Sequence, residues 1–194
     1  MAANLREPYR HYYTIEEYFA LEKASDRRYE YWNGDLVCMS GGSEQHSTIT
    51  SNIHREIANK LRGKSCRSYT DGTPIATPQL PPYRYPDTSA ACGKIHFRSF
   101  DGIEALVNPT LVVEVLSATT ENADRKQKKD AYQALPSLKD YLLVSQTAYH
   151  VTRFSRHGEF WHREEFSGLE AVIPLPSLEC ELPLRDIYEG VVFE

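Results

Sequence analysis

The stretch PTLVVEVLSATTENADRKQKKDAY, residues 109–132, decides how this chain is read. From Leu111 to Leu116 every residue but one is apolar, and three of those five are β-branched valines. A short continuous apolar run of this kind reads as a central strand buried on both faces. The exception is Glu114. Side chains alternate along a strand, so residues 112, 114 and 116 share one face and 113 and 115 the other. Both sets of neighbours are apolar, which sends Glu114 into a core layer or to the floor of a cleft. Charged side chains are seldom buried unless they are paired, protonated or holding a metal. A structural glutamate bonded to a neighbour and a functional one both meet that condition.

The lysine-rich segment that follows predicts a helix from about Asn122 to Leu135. Spacings of 3, 4 and 7 place Lys128, Ala131, Tyr132 and Leu135 on one face. Lys126, Lys129, Asp130 and Gln133 fall on the other, as a solvated face should. Lys128 is thus the lysine aligned with the apolar stripe. Its stem can snorkel to water, or its ammonium faces inward and needs an anion. Glu114 is one strand–helix connection away, and the second reading is the one we adopt.

Working outward, Thr14 and Glu17 make a capping-box pattern at the head of a first helix, TIEEYFALEKA. RRYEYWNGDLVCMSGG then reads as a hairpin turning at Asn33-Gly34. In SEQHSTITSNIHREIANKLRG, Ile49, Ile53, Ile57 and Leu61 form the stripe of an amphipathic helix that Gly63 ends. Residues 64–82 are rich in turns, with short strand candidates near Arg67 and Ile75. A short strand follows Pro86-Asp87, and residues 93–108 read as a loop. After the central strand and helix come strands near Tyr141–Val144, Tyr149–Phe154 and Glu159–Phe166, then a short strand and a closing helix. No repeat or low-complexity linker interrupts residues 1–194, so a single domain is expected. Its class is α/β (α+β), a mixed β-sheet flanked by helices.

Composition narrows the functional classes. A net charge of −5 excludes a chain that binds nucleic acid through overall basicity, while leaving room for a local basic patch or a metal-neutralised acidic pocket. No apolar run approaches the roughly 20 residues of a membrane helix, and MAANLREPYRHYY carries no apolar signal region. Cys38, Cys66, Cys92 and Cys180 form no CxxC or CxxH pair. That argues against zinc and fits free thiols in a reducing, cytoplasmic setting.

Two further acids enter the site reading. Pro86 fixes the chain at a strand edge, and Asp87 projects from the strand start or caps a turn. Glu30 alternates with Tyr29 and Tyr31 in the first hairpin, where an exposed charge is the plainer explanation. A set of carboxylates with a lysine is what Mg²⁺-assisted phosphodiester hydrolysis requires. Hard oxygens hold the ion and leave room for water and phosphate. The lysine stabilises the charge that develops on the phosphoryl group.

Over nearly its whole length the chain resembles the Uma-two (Uma2) family of putative restriction endonucleases, within the PD-(D/E)xK nuclease-like superfamily. TIEEYFALE, YEYWNGDLVCMS, EQHSTI, YPD, NPTLVVEVLS, DRKQKKDAY and PSLKDYLLV carry the resemblance, together with the C-terminal ECELPLRDIYEGV. It implies a restriction-endonuclease-like core and a Mg²⁺- or Mn²⁺-dependent endonuclease acting on DNA. Asp87 and Glu114 match the metal-binding acids, Glu30 matches the acid of the first motif, and the Val115 carbonyl is a further candidate ligand. The superfamily lysine stands two residues after the acid, where this chain has Leu116. Lys128 on the following helix matches the family's lysine instead. His46, in EQHS, matches a frequent family position and can equally be a surface histidine. After Pro86-Asp87 the chain reads TSAACG in place of the usual β-branched run.

The alternative is a non-catalytic binding or assembly module that keeps the nuclease fold, in line with the acidic balance. A homodimer is expected from the resemblance and from Tyr149, Phe154, Phe160, Trp161 and Phe166, although core packing explains those aromatics as well. No membrane partner is expected.

Overall fold

The computed structural model describes residues 11–39, 42–117, 121 and 124–193. Two compact units arise, residues 1–41 and 42–194. In the first, α1 (Ile15–Ala24) precedes a hairpin of β1 (Tyr29–Trp32) and β2 (Asp35–Cys38). The predicted capping box is present: the Thr14 hydroxyl accepts from the Glu17 N–H at 3.2 Å, and the Glu17 carboxylate accepts from the Thr14 N–H at 2.8 Å. Asn33 and Gly34 both have positive φ, 48° and 97°, as a type I′ turn requires.

The second unit begins with α2 (Glu44–Lys60), then β3 (Cys66–Thr70), β4 (Ile75–Ala76), β5 (Tyr83–Arg84), β6 (Thr88–Cys92), β7 (Phe97–Phe100), β8 (Ile103–Leu106) and β9 (Leu111–Leu116). A π-helical turn (Asp124–Lys128) leads into α3 (Lys129–Gln133). Next come β10 (Asp140–Ser145), β11 (His150–His157), β12 (Phe160–Ser167), β13 (Val172–Leu175), β14 (Cys180–Pro183) and α4 (Leu184–Ile187). The central sheet has the order β12-β11-β10-β9-β6-β3. Its β9–β10 pair is parallel and the remaining pairs are antiparallel, so the sheet is mixed.

β9 lies in the middle and is buried at every position, which is why its sequence is apolar without alternation. Leu111, Val113 and Val115 pack with Leu142, Val144 and Val151 against α2, whose Ile49, Ile53 and Ile57 are fully buried. Each of those isoleucines contributes about 1.5–3 kcal/mol by leaving water, and Ile53→Ala would cost about 2–5 kcal/mol. The other face holds Val112, Leu116, Tyr132, Leu135, Leu138, Tyr141 and Leu143. Glu114 shares that second face.

Ser43 caps α2, its hydroxyl accepting from the His46 N–H at 3.1 Å. Inside the helix, the buried Asn52 amide donates to the carbonyls of Ile187 and Glu189 at 3.1 and 2.9 Å, which ties α2 to the C-terminal segment.

Two expectations are corrected. Residues 93–108 are not a plain loop: β7 and β8 pair antiparallel within a four-stranded sheet, turning at Asp101-Gly102, both at positive φ. FRSF and IEAL are too short and mixed to show a strand period. The cysteines are not all free thiols either. Cys66 and Cys92 are disulfide-bonded, while Cys38 and Cys180 are free. The two bonded residues are 26 apart in sequence, and only the β3–β6 register sets them opposite each other. The predicted start of the helix at Asn122 lies outside the described residues.

Candidate active site

Asp87 lies alongside the Glu114 stretch of β9 because β6 runs antiparallel to β9 with Thr88 opposite Val113. The next step of that register brings Asp87 to Glu114. Asp87 Oδ2 accepts from the Val115 N–H at 2.6 Å, so the carboxylate just before the first residue of β6 bonds the backbone beside Glu114. The small side chains of TSAAC allow this placement: Thr88, Ser89, Ala90 and Ala91 are all fully buried between neighbouring strands.

His46 reaches the same point from the first turn of α2. Its Nε2 lies 3.4 Å from Asp87 Oδ1. The hydrogen bond to Asp87 is the main reason its pKa rises above the ordinary 6.5. Burial works against that rise, while the Asp87 charge, the Val115 carbonyl and the more distant Asp124 add to it.

On the Glu114 face, the Lys128 ammonium lies 3.3 Å from Glu114 Oε1 and 3.0 Å from Asp124 Oδ1. The Lys128, Glu114 and Asp124 side chains are only 2%, 3% and 1% exposed. The Tyr132 hydroxyl donates to Glu114 Oε1 at 3.2 Å, and the Tyr141 hydroxyl donates to the Asp124 carbonyl at 2.9 Å. Burial first, then the charges of Glu114 and Asp124, pushes the Tyr141 phenol well above its usual pKa, so it stays a donor. Lys128 therefore does not snorkel to water. It is an interior cation between two interior carboxylates, an arrangement that is costly to desolvate and tolerable only when each charge is paired.

The structure thus groups His46, Asp87, Glu114, Val115 and Lys128 in the second unit. Glu30 belongs to the first unit, where it is buried on β1 opposite Val37. Asp124 is the member that sequence reasoning missed. ENADRKQKK looks like a solvated charged run, and the available signal was its i, i+4 spacing to Lys128. The turn that carries both residues is π-helical, a form often found at functional sites.

Among the described residues no three His, Cys, Asp or Glu side chains form a ready-made metal cage. The oxygen donors carried by this part of β9 and the residue before β6 are hard ones: the Glu114 carboxylate, the Val115 carbonyl, and the Asp87 carboxylate bonded to the Val115 N–H. That set suits a Mg²⁺ ion, which takes one or two carboxylates and keeps much of its water, and does not suit zinc.

A mixed sheet with helices packed on it is also the fold of a solved structure. The crystal structure of a putative nuclease belonging to DUF820 from Anabaena variabilis ATCC 29413 matches with a TM-score of 0.73. The match has 18% identity and covers 93% of this chain and 99% of that one. The fold is therefore the α+β fold of that nuclease-like protein. The profile of the Uma2 family, described as "Putative restriction endonuclease", matches residues 15–185, and the chain belongs to that family. Two uncharacterised proteins of Synechocystis sp. (strain ATCC 27184 / PCC 6803 / Kazusa) are similar to it. One, slr1290, is 31% identical over 179 residues, 92% of each chain. The other, sll1609, is 27% identical over 161 residues, 82% of this chain and 90% of its own.

Proposed function

We propose that this protein is a Mg²⁺- or Mn²⁺-dependent endonuclease that hydrolyses phosphodiester bonds in DNA, with its lysine supplied from the helix after the central strand. The observation that carries this reading is the buried Lys128 ammonium 3.3 Å from Glu114, one residue from the backbone amide that holds Asp87. Asp87, Glu114 and the Val115 carbonyl would hold the ion. When bound, it supplies an activated water and neutralises charge on the phosphoryl oxygens. Lys128 keeps its position through Asp124 and Glu114, and its positive charge stabilises an anionic transition state. His46 positions Asp87 through its Nε2. Glu30 enters on the family match alone, and Glu30→Gln tests it separately.

The test is divalent-dependent cleavage of duplex DNA, lost in Glu114→Ala with the circular dichroism spectrum unchanged. Purified protein that neither cleaves DNA nor binds Mn²⁺ at millimolar concentration overturns the proposal.

A second reading, a non-catalytic nuclease-fold module, is favoured by one observation: Glu114 is already engaged by both Lys128 and Tyr132. A salt-dependent gel shift without cleavage would select it. A homodimer is part of the proposal and is checked by light scattering. Phe160, 81% exposed at the start of the edge strand β12, is an aromatic available to a partner. Among the described residues no helix is long and apolar enough to cross a membrane.

A further inference from the structure

At the end of the central sheet where the parallel strands β9 and β10 begin, a cleft of about 350 Å³ opens, bordered by Thr110, Asp140 and Ser177. It is separate from the Asp87–Glu114 cluster: Thr110 and Glu114 are four residues apart on an extended chain, roughly 13 Å. Three cations line it, Lys139, Arg153 and Arg156, with Asp140 as the lining carboxylate and Glu164 pairing Arg153 from beside it, so cations outnumber acids by three to two. Such a balance stands out in a chain of net charge −5.

The cations are held in place before any ligand arrives. Arg153 is buried, its Nε donating to Asp140 Oδ1 at 2.8 Å with Nη2 2.7 Å from the same oxygen, and its Nη1 donating to Glu164 at 3.0 Å. Arg156 donates to the carbonyls of Leu138 at 2.9 Å, Leu135 at 3.0 Å and Gln133, and lies over the Trp161 ring. Asp140 is itself buried and accepts from the Ser177 hydroxyl. Such pre-organisation lowers the ordering cost of binding.

Donors remain available. The Ser155 hydroxyl, on a buried residue, is 3.2 Å from His157 Nε2. The Ser137 hydroxyl is buried and has no hydrogen-bond partner among the described residues, a costly state for a polar group that nothing engages. Lys139 is exposed at the rim. Hydroxyls, an imidazole and an ammonium around fixed guanidinium charge match the several terminal oxygens of a phosphate better than the two of a carboxylate. The volume, at the lower end of small-molecule clefts, leaves room for an organic group on the phosphate.

We infer that this cleft, formed by Lys139, Arg153, Ser155, His157 and Ser137 at the start of β9 and β10, binds a phosphomonoester. The inference does not depend on the nuclease reading. Titration calorimetry with inorganic phosphate and with a deoxynucleoside 5′-monophosphate, in metal-free buffer, tests it and separates the two sources. Saturable binding of the monophosphate, displaced by phosphate, is expected. Saturable binding of phosphate alone would likewise support the phosphate site and assign it to the free ion. Lys139→Gln, at an exposed position that leaves the fold intact, should weaken binding about tenfold, the scale of one charge-assisted hydrogen bond. Ser155→Ala should weaken it too, and Glu114→Gln should leave it unchanged. No binding of either ligand at about 10 mM, weaker than any useful affinity, overturns the inference. So does binding that Glu114→Gln removes and Lys139→Gln does not.

Discussion

Replacing Lys128 with methionine separates an interior cation from a surface one. At 3.3 Å from Glu114 and 3.0 Å from Asp124, each attraction is about 5 kcal/mol at an effective dielectric of about 20. Desolvation of the three groups offsets most of this, since each buried ion costs several kcal/mol to bring out of water. Lys128→Met keeps the volume and removes only the positive end, which leaves two carboxylates facing each other without a counter-ion. Breaking a buried pair in this way costs about 3–5 kcal/mol. For a chain of this size, with about 2–4 °C of Tm per kcal/mol, the melting temperature should fall by about 6–20 °C. Neutralising one acid as well, in Glu114→Gln/Lys128→Met, should restore part of the loss, a coupling of about 1–3 kcal/mol in a double-mutant cycle. Differential scanning calorimetry or urea unfolding of the four proteins measures it. A loss below about 0.5 kcal/mol in Lys128→Met, as for an ordinary surface substitution, would refute the interior ion-pair account.

His46 should titrate above 6.5 in the metal-free protein, because Asp87 favours its charged form. A folded pKa raised above the unfolded one contributes stability that is fully present below the unfolded pKa and is lost as pH rises through the folded value. NMR titration of the His46 ring reads the midpoint; Asp87→Asn should lower it, and a midpoint at or below 6.5 in the parent would contradict the contact. Thiol counting should find two reactive cysteines, Cys38 and Cys180, before reduction and four after denaturing reduction; four beforehand would rule out the Cys66–Cys92 bond. Given the separation of 26 residues, Cys92→Ser should cost about 3.5 kcal/mol by loop-entropy estimates, read as a shift in the urea midpoint.

The features legible in the sequence are those set by local period. Five apolar residues in six consecutive positions announced a strand buried on both sides, and a period of two placed Glu114 with Val112 and Leu116, as the two packed faces of the sheet bear out. Helical phase alone selected Lys128 from five neighbouring charges, and it is buried with Ala131 and Tyr132. The phase survived although the turn at Asp124–Lys128 is π-helical, because Ala131, Tyr132 and Leu135 continue on the inward side. Asn33-Gly34 fixed its hairpin through backbone conformation, which acts over two residues.

What tertiary structure decided were the partners of those side chains, and these depend on register between segments distant in the chain. The β3–β6 alignment joins Cys66 to Cys92, and the β6–β9 alignment brings Asp87 to the Val115 amide. The placement of α2 over the sheet sets His46 beside Asp87. Asp124 becomes the second anion of Lys128 only because the π turn is buried against Tyr141. A sequence states which residues must leave water, since burial follows from composition and period within a few residues. Which buried charge meets which is fixed by packing over tens of residues, and the need to pair Glu114, Lys128 and Asp124 in the interior was visible only once the strands and helices had closed around them.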